Sequence, residues 1–245
     1  MRFVIAAACA ALALSSVVPS FASPASIAQA VADPSRPKAD RDTDFRRLPY
    51  QTILFSGVKE GDVVGELFPG GGYYTRMLSD VVGPKGKVYA LETTRWPSSV
   101  EATKKVLDEK GRSNVHLTAT PFGAFDLPEK IDLFWITQNY HDLRIAEYGT
   151  VDMAAFNKHV FDSLKPGGTY FIVDHQANAG TTEEQIAKLH RIEKAVVINE
   201  VEGAGFQLVG ESHALHRPGD DHTKTIFDKS VQGHTDQYML KFRKP

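Results

Sequence analysis

The sequence predicts an α/β protein: a doubly wound, Rossmann-like sheet of seven strands, mostly parallel, with an antiparallel pair at one edge. Three observations carry that expectation. Short apolar runs alternate with segments of helical period from residue 63 to residue 203, the pattern of a parallel sheet covered on both faces. Gly70-Gly71-Gly72 stands between the first apolar run and the first helical pattern, where a strand turns tightly into a helix. The last two strand-like runs, 206–211 and 237–242, have no helical pattern between them, so they are expected to pair antiparallel at an edge.

Val63–Leu67 reads as the first strand. Tyr74, Met77, Leu78 and Val81 follow at i, i+3, i+4 and i+7, which predicts a helix stopped by Gly83-Pro84. Lys87–Leu91 is the second strand. Ser98 with Glu101 gives a capping-box signal for a helix that ends at Gly111. Asn114–Thr118 is the third strand, and Ile131–Ile136 the fourth, apolar enough to be central. Met153, Phe156, Val160 and Leu164 mark one helix face, ended by Lys165-Pro166-Gly167-Gly168, and Thr169–Val173 is the fifth strand. Thr181 with Glu184 is expected to cap a helix running to about Gly203. Ahead of the sheet, residues 45–55 predict a short helix around Leu48, Ile53 and Leu54. Residues 23–44 read as an arm laid on the surface, with Pro34 and Pro37 blocking a long helix. The folded domain is expected over residues 45–245.

Residues 1–22 read as a signal peptide. Arg2 supplies the positive start, Phe3 to Val18 the apolar stretch, and Ser20-Phe21-Ala22 a small-x-small cleavage site. The stretch is short for a membrane span, and Pro19 closes it without a basic cluster. The expectation is therefore a periplasmic or otherwise exported protein with no stable membrane insertion after cleavage. Cys9 is the single cysteine, so the processed chain is expected to have neither a disulfide nor thiol chemistry. Leaving out Arg2, 28 Lys+Arg become 27 against 30 Asp+Glu. A slightly acidic chain argues against a nucleic-acid or anionic-membrane partner and leaves a small molecule as the expected one.

In a doubly wound sheet the ligand sits beyond the carboxyl ends of the strands, where the strand order reverses. That rule selects the glycine turn, Glu66 at the end of the first strand and Glu92 at the end of the second, where an acid accepts ribose hydroxyls. Gly70-x-Gly72 followed by Thr75 distantly mimics a dinucleotide fingerprint. None of the eight tyrosines has a lysine four residues on, as a short-chain dehydrogenase would need. A pyrophosphate-binding reading stays open on the residues alone.

The run Glu66-Leu67-Phe68-Pro69-Gly70-Gly71-Gly72, with Glu92 and Leu164-Lys165-Pro166-Gly167-Gly168, resembles the class I S-adenosylmethionine-dependent methyltransferases over about residues 45–245. The resemblance implies S-adenosylmethionine as cofactor, with Glu66, Gly70, Gly71, Gly72, Tyr73 and Asn139 around it. It places the ribose on Glu92 and the adenine on the loop that holds Phe125 and Asp126. The departure is Phe68, which stands where the family has its first glycine and is expected to crowd the site. Asn139-Tyr140-His141-Asp142-Leu143, Asp174-His175 and the final Phe242-Arg243-Lys244-Pro245 look similar to a subgroup of exported proteins in that family.

Methyl transfer asks the protein to position two groups and, where needed, to take a proton from the acceptor. His141 is the first expectation for that base, oriented by Asp142, with His175 second. His190 and Arg191 are expected to face the same crevice, as is the Asp220-Asp221-His222 loop. For each histidine a purely structural role stands beside the catalytic one. Tyr74 fits the core face of its helix. His213-x-x-His216 with Asp220 and His222 has loose metal-ligand spacing, a third reading that the sequence does not favour, so no metal is expected. The last alternative is an exported binding protein with this fold and no methyl transfer.

Overall fold

The computed structural model describes residues 23–109 and 111–245. The signal peptide expected over residues 1–22 lies outside the described residues. Among those described, no helix is long and apolar enough to cross a membrane.

Four short helices come first: α1 (Pro24–Ala32), α2 (Lys38–Arg41), α3 (Asp44–Arg47) and α4 (Pro49–Ser56). They lead into β1 (Val63–Leu67), α5 (Tyr73–Val82), β2 (Lys87–Thr93), α6 (Pro97–Leu107), β3 (Val115–Thr120) and β4 (Ile131–Thr137). A 3-10 turn at His141–Arg144 precedes α7 (Met153–Ser163), β5 (Leu164–His175), α8 (Glu183–Leu189), α9 (Lys194–Gly203), β6 (Gln207–Ser212) and β7 (Gln237–Arg243). The strands form one sheet in the order β3-β2-β1-β4-β5-β7-β6. The first five pair in parallel; β7 runs antiparallel to both β5 and β6. This is the expected seven-stranded sheet with its antiparallel edge.

The order reverses between β1 and β4, so their carboxyl ends open a crevice there. Both faces of the sheet are covered, and β4 shows why its sequence is almost wholly apolar. Leu133 and Trp135 enter one core cluster with residues of α1, α4 and α5. Phe134 and Ile136 enter the other with residues of α7, α8 and α9. Alternate side chains of a strand point to opposite faces, so a central strand needs apolar residues at every position.

Several local expectations are corrected. The helix expected to start at a Ser98–Glu101 capping box starts at Pro97 instead, with Trp96 as N-cap and no side-chain cap. Proline suits that first position because its missing N–H would be unpaired there anyway. The helix expected from Thr181 to Gly203 is two helices, broken at His190, whose φ is 54°. Its capping box is Thr182 with Gln185, one residue later than the Thr181–Glu184 expectation. The helix expected over residues 45–55 is likewise interrupted, at Leu48, where φ is 44°. β5 begins at Leu164 and bulges over Lys165–Gly168 before its regular pairing with β4 resumes at Thr169.

The N-terminal segment is tied to the domain by burial and charge. Ile27 and Ala30 are buried with α5 residues. Arg36, wholly buried, makes two 2.8 Å hydrogen bonds to the Asp44 carboxylate. Arg76 on α5 pairs with Asp40 at 3.0 Å. These contacts hold residues 40–47 against the rim of the crevice.

Candidate functional site

A cleft of about 530 Å³ opens beyond β1, β2 and β4, within the range usual for small-molecule sites. Its floor is the β1–α5 turn. Gly70 has φ +60°, and a Cβ on Gly70 or Gly71 would meet nothing within 4 Å, so this backbone faces open space. Gly72 serves the fold instead. It is the N-cap of α5 at φ +78°, and a Cβ there would stand 2.4 Å from Val106 Cγ2.

Two buried acids flank the turn. Glu92 Oε1 accepts hydrogen bonds from the Gly70 N–H at 2.9 Å and the Thr103 hydroxyl at 2.8 Å. Its Oε2 is buried without a partner. Burial raises the Glu92 pKa against the pull of those two donors and a smaller one from the nearby Thr93 backbone. Glu66 Oε2 accepts from the Thr75 hydroxyl at 2.6 Å. Burial, with the nearby charge of Glu92 adding to it, pushes the Glu66 carboxyl up to about 8.

One wall is aromatic. Phe68 adopts the left-handed φ of 51° that glycine takes with ease. Its ring packs edge-on to Trp96 at 5.0 Å and stacks on Phe122 at 5.4 Å. Phe68 lines the cleft with its ring packed against these neighbouring aromatics.

The cleft also gathers His141, Asp142, His175 and His190 with Gln138 and Asn139, and Tyr148 links this group to the aromatic wall, 5.4 Å from Trp96 and 6.2 Å from His190. His141 is buried between two carboxylates. Its Nδ1 lies 2.7 Å from Asp174 Oδ1 and its Nε2 3.2 Å from Asp142 Oδ1. Burial opposes charge on this ring, but the Asp174 charge and hydrogen bonds with Asp142 and Asp174 outweigh it and push the pKa up to about 10. The expectation of His141 as general base is corrected: its ring instead lies between two carboxylates, which favour the charged imidazolium over the neutral base. Asp142 does approach His141 as expected. Burial works against the Asp142 charge, but hydrogen bonds from His141 and His190 hold its carboxyl well below the usual range.

His175 differs. Its Nδ1 lies 2.8 Å from the Thr235 hydroxyl and touches no carboxylate. Burial, with the positive charges of His141 and Arg191, holds its pKa well below the usual value, so the ring stays neutral. His190 lies partly open, with Nδ1 3.4 Å from Asp142 Oδ1 and its ring 4.8 Å from that of Phe227.

Of five non-glycine residues with positive φ among those described, Phe68, Gln138 and His190 line the cleft. Each such conformation costs about 1–2 kcal/mol, and strain of this kind gathers at functional sites.

Glu66, Gly70, Gly71, Tyr73, Glu92 and Asn139 line the cleft, as do His141, Asp142, His175 and His190. Tyr74 serves both core and cleft: it is buried, and its ring lies 5.0 Å from that of Trp135. The Tyr73 hydroxyl is committed to Asp44 at 2.6 Å, leaving only its ring to the cleft. Gly72, Phe125 and Asp126 do not line it. Phe125 is buried against Phe134 and Phe156, while Asp126 is exposed. Arg191 faces inward, not into the crevice. It is wholly buried and pairs with Asp220 at 2.9 Å, which pins the loop before β7. The loop histidines do not assemble a ligand set: His216 and His222 each engage Asp236, at 2.9 and 3.0 Å, and His213 turns to Glu211.

The sequence reading missed Asp40, Thr43 and Arg47, which reach the cleft from the N-terminal segment, and Ile226 and Phe227 from the loop before β7. Arg47 stacks over the Tyr73 ring at 4.6 Å. No periodicity or motif marks these positions; only the folding of the two segments over the rim brings them in.

No family model matches the chain. Over 133 residues it is 33% identical to 2-phytyl-1,4-beta-naphthoquinone methyltransferase of Arabidopsis thaliana, covering 53% of this chain and 48% of that relative. The chain thus spans about half the length of the curated relative it matches. Among solved structures it is similar to a SAM-dependent methyltransferase from Aquifex aeolicus, with TM-score 0.60 and 20% identity over 91% of this chain and 99% of that one. It is also similar to the cyclase SpnF, with TM-score 0.57 and 17% identity over 84% and 81% of the two chains. The chain has the fold of the S-adenosylmethionine-dependent methyltransferases, and SpnF shows that the fold alone does not name the reaction.

Proposed function

We propose that the chain is an S-adenosylmethionine-dependent methyltransferase acting on a small molecule. The observation that carries this reading is Glu92. Its Oε2 is buried and unpartnered at the end of β2, beside a glycine backbone that faces open space. An orphaned buried acceptor is costly unless a ligand supplies the donor. A ribose hydroxyl is such a donor, and the position is the one from which acids hold ribose in doubly wound sheets. Since Oε1 is already committed to Gly70 and Thr103, Glu92 has one oxygen for the ribose rather than two.

When bound, the cofactor supplies a methyl group on a sulfonium for in-line displacement. The residues of this chain do the rest. Gly70 and Gly71 admit a ligand close to the backbone, and the Phe68–Trp96 wall offers flat apolar surface. His175 takes the proton of the acceptor: it is the buried cleft histidine that no carboxylate holds in the charged form. A proton acceptor must keep a lone pair at working pH.

Calorimetric titration of the purified chain with S-adenosylmethionine tests the reading. Wild type is expected to bind. Glu92→Gln, which keeps the shape but replaces Oε2 or Oε1 by a donor, is expected to lose about 1.5–3 kcal/mol, roughly 10- to 150-fold. Absence of binding by wild type, or equal affinity in a folded Glu92→Gln, overturns it.

A further inference from the structure

We propose that His141, Asp142 and His190 form a binding site for a divalent first-row transition metal ion, zinc or iron(II), in the cleft that the glycine turn also lines. This goes beyond the methyltransferase reading and does not depend on it.

The three residues can each present one ligand atom, and no two of these atoms are more than 4.8 Å apart. His141 Nε2 lies 3.2 Å from Asp142 Oδ1, and His190 Nδ1 lies 3.4 Å from the same oxygen. Ligands about 2.0–2.1 Å from a tetrahedral zinc stand about 3.3 Å apart; the two spacings to Asp142 are close to this, and the two imidazole nitrogens lie within 4.8 Å of each other. Two imidazoles and one carboxylate leave further coordination positions open. All three residues line the cleft, so those positions face the space where a small molecule would sit.

The surrounding groups orient this set. Asp174 holds His141 Nδ1 at 2.7 Å, which directs Nε2 toward Asp142. The carboxylate of Asp174 is itself fixed by the backbone N–H groups of His141 at 2.8 Å and His175 at 2.7 Å. A carboxylate behind a ligating imidazole is the usual outer support of a metal-bound histidine. Asn139 donates to Asp142 Oδ2 at 2.8 Å, leaving Oδ1 to the two histidines. His190 is held at φ 54° at the end of α8, and its ring stands edge-on 5.4 Å from that of His141.

The test uses the full processed chain, stripped with a chelator and titrated with Co²⁺ and then Zn²⁺. One equivalent of Co²⁺ is expected to give a visible ligand-field absorption that Zn²⁺ abolishes. His190→Gly, chosen because glycine accepts the left-handed backbone, and Asp142→Asn are each expected to weaken binding at least tenfold. Asp174→Asn, a positioning change, is expected to weaken it 10- to 100-fold while leaving all three ligands in place. His216→Ala, in the outer loop, should bind as wild type does. Circular dichroism establishes that each variant is folded, and His190→Gly decides the matter if Asp142→Asn does not fold. Failure of the stripped wild type to bind either ion below 1 mM overturns the proposal. Binding that survives His190→Gly, or that is lost in His216→Ala, also overturns it, whatever the outcome with S-adenosylmethionine.

Discussion

Replacing Glu66 by Gln is expected to make the protein more stable at alkaline pH and to leave it nearly unchanged at acid pH. Glu66 is 2% exposed, and its carboxyl is pushed up to about 8 from an ordinary value of 4.5. A folded-state pKa above the unfolded one means that the native state binds the proton more tightly. The unfolded chain therefore gains an advantage as pH rises above 4.5, and that advantage stops growing near pH 8. Each pKa unit is worth about 1.36 kcal/mol. Between pH 5 and pH 8.5 the native state should thus lose on the order of 4 kcal/mol through this one group. Glutamine keeps an amide oxygen to accept the Thr75 hydroxyl bond, seen at 2.6 Å in the native protein, and cannot ionise. Urea unfolding of both proteins at pH 5, 6.5 and 8.5 gives the comparison. The difference in unfolding free energy should open progressively in favour of Glu66→Gln, by about 2–4 kcal/mol over the range. Titrations of groups that do not interact with Glu66 are common to both proteins and cancel. Parallel profiles for the two proteins would refute the argument, since Glu66 would then be ionised at no cost and the β1–α5 floor would not be the low-dielectric place its burial implies.

Two further outcomes are expected. His175→Ala should lower the turnover of methyl transfer to a small-molecule acceptor roughly 10²- to 10⁴-fold with S-adenosylmethionine affinity unchanged; equal turnover would remove His175 from the reaction. Native expression should yield a chain beginning near Ser23, through removal of residues 1–22, and N-terminal sequencing that finds intact Met1 on a cytosolic protein would refute export.

Phe68 illustrates how a departure from a motif can preserve the backbone that the motif exists to secure. The first glycine of such a turn is useful because it takes a left-handed φ. Phe68 takes that φ, at 51°, and its neighbours Trp96 and Phe122 give the ring an apolar place to lie. Burial of an aromatic ring is worth a few kcal/mol, enough to offset a left-handed backbone cost of about 1–2 kcal/mol.

The sequence by itself determined the sheet, the glycine turn and the stations of the acids. β1 was legible residue for residue, because a short apolar run bounded by Gly61 and Gly70 has few other ways to be satisfied. Strand and helix periods, and the punctuation of Gly83-Pro84 or Pro166-Gly167-Gly168, are local properties and survive without knowledge of neighbours. The convergence of His141 and His175 on one cleft followed from topology, since they sit at or just past the carboxyl ends of β4 and β5, whereas His190 reaches it from the end of α8. What only the tertiary structure decided is the state of each group once there. The charge on His141 depends on Asp174, 33 residues away, and the free oxygen of Glu92 on Gly70 and Thr103, which lie 22 residues before it and 11 after it. The left-handed break at His190 sets its ring beside those of Phe227 and His141, and the segment that brings Asp40, Thr43 and Arg47 to the rim carries the Arg36–Asp44 pair. Protonation state, open valence and backbone strain are set by the few atoms within about 4 Å of a group, and the chain brings those atoms together only when it folds.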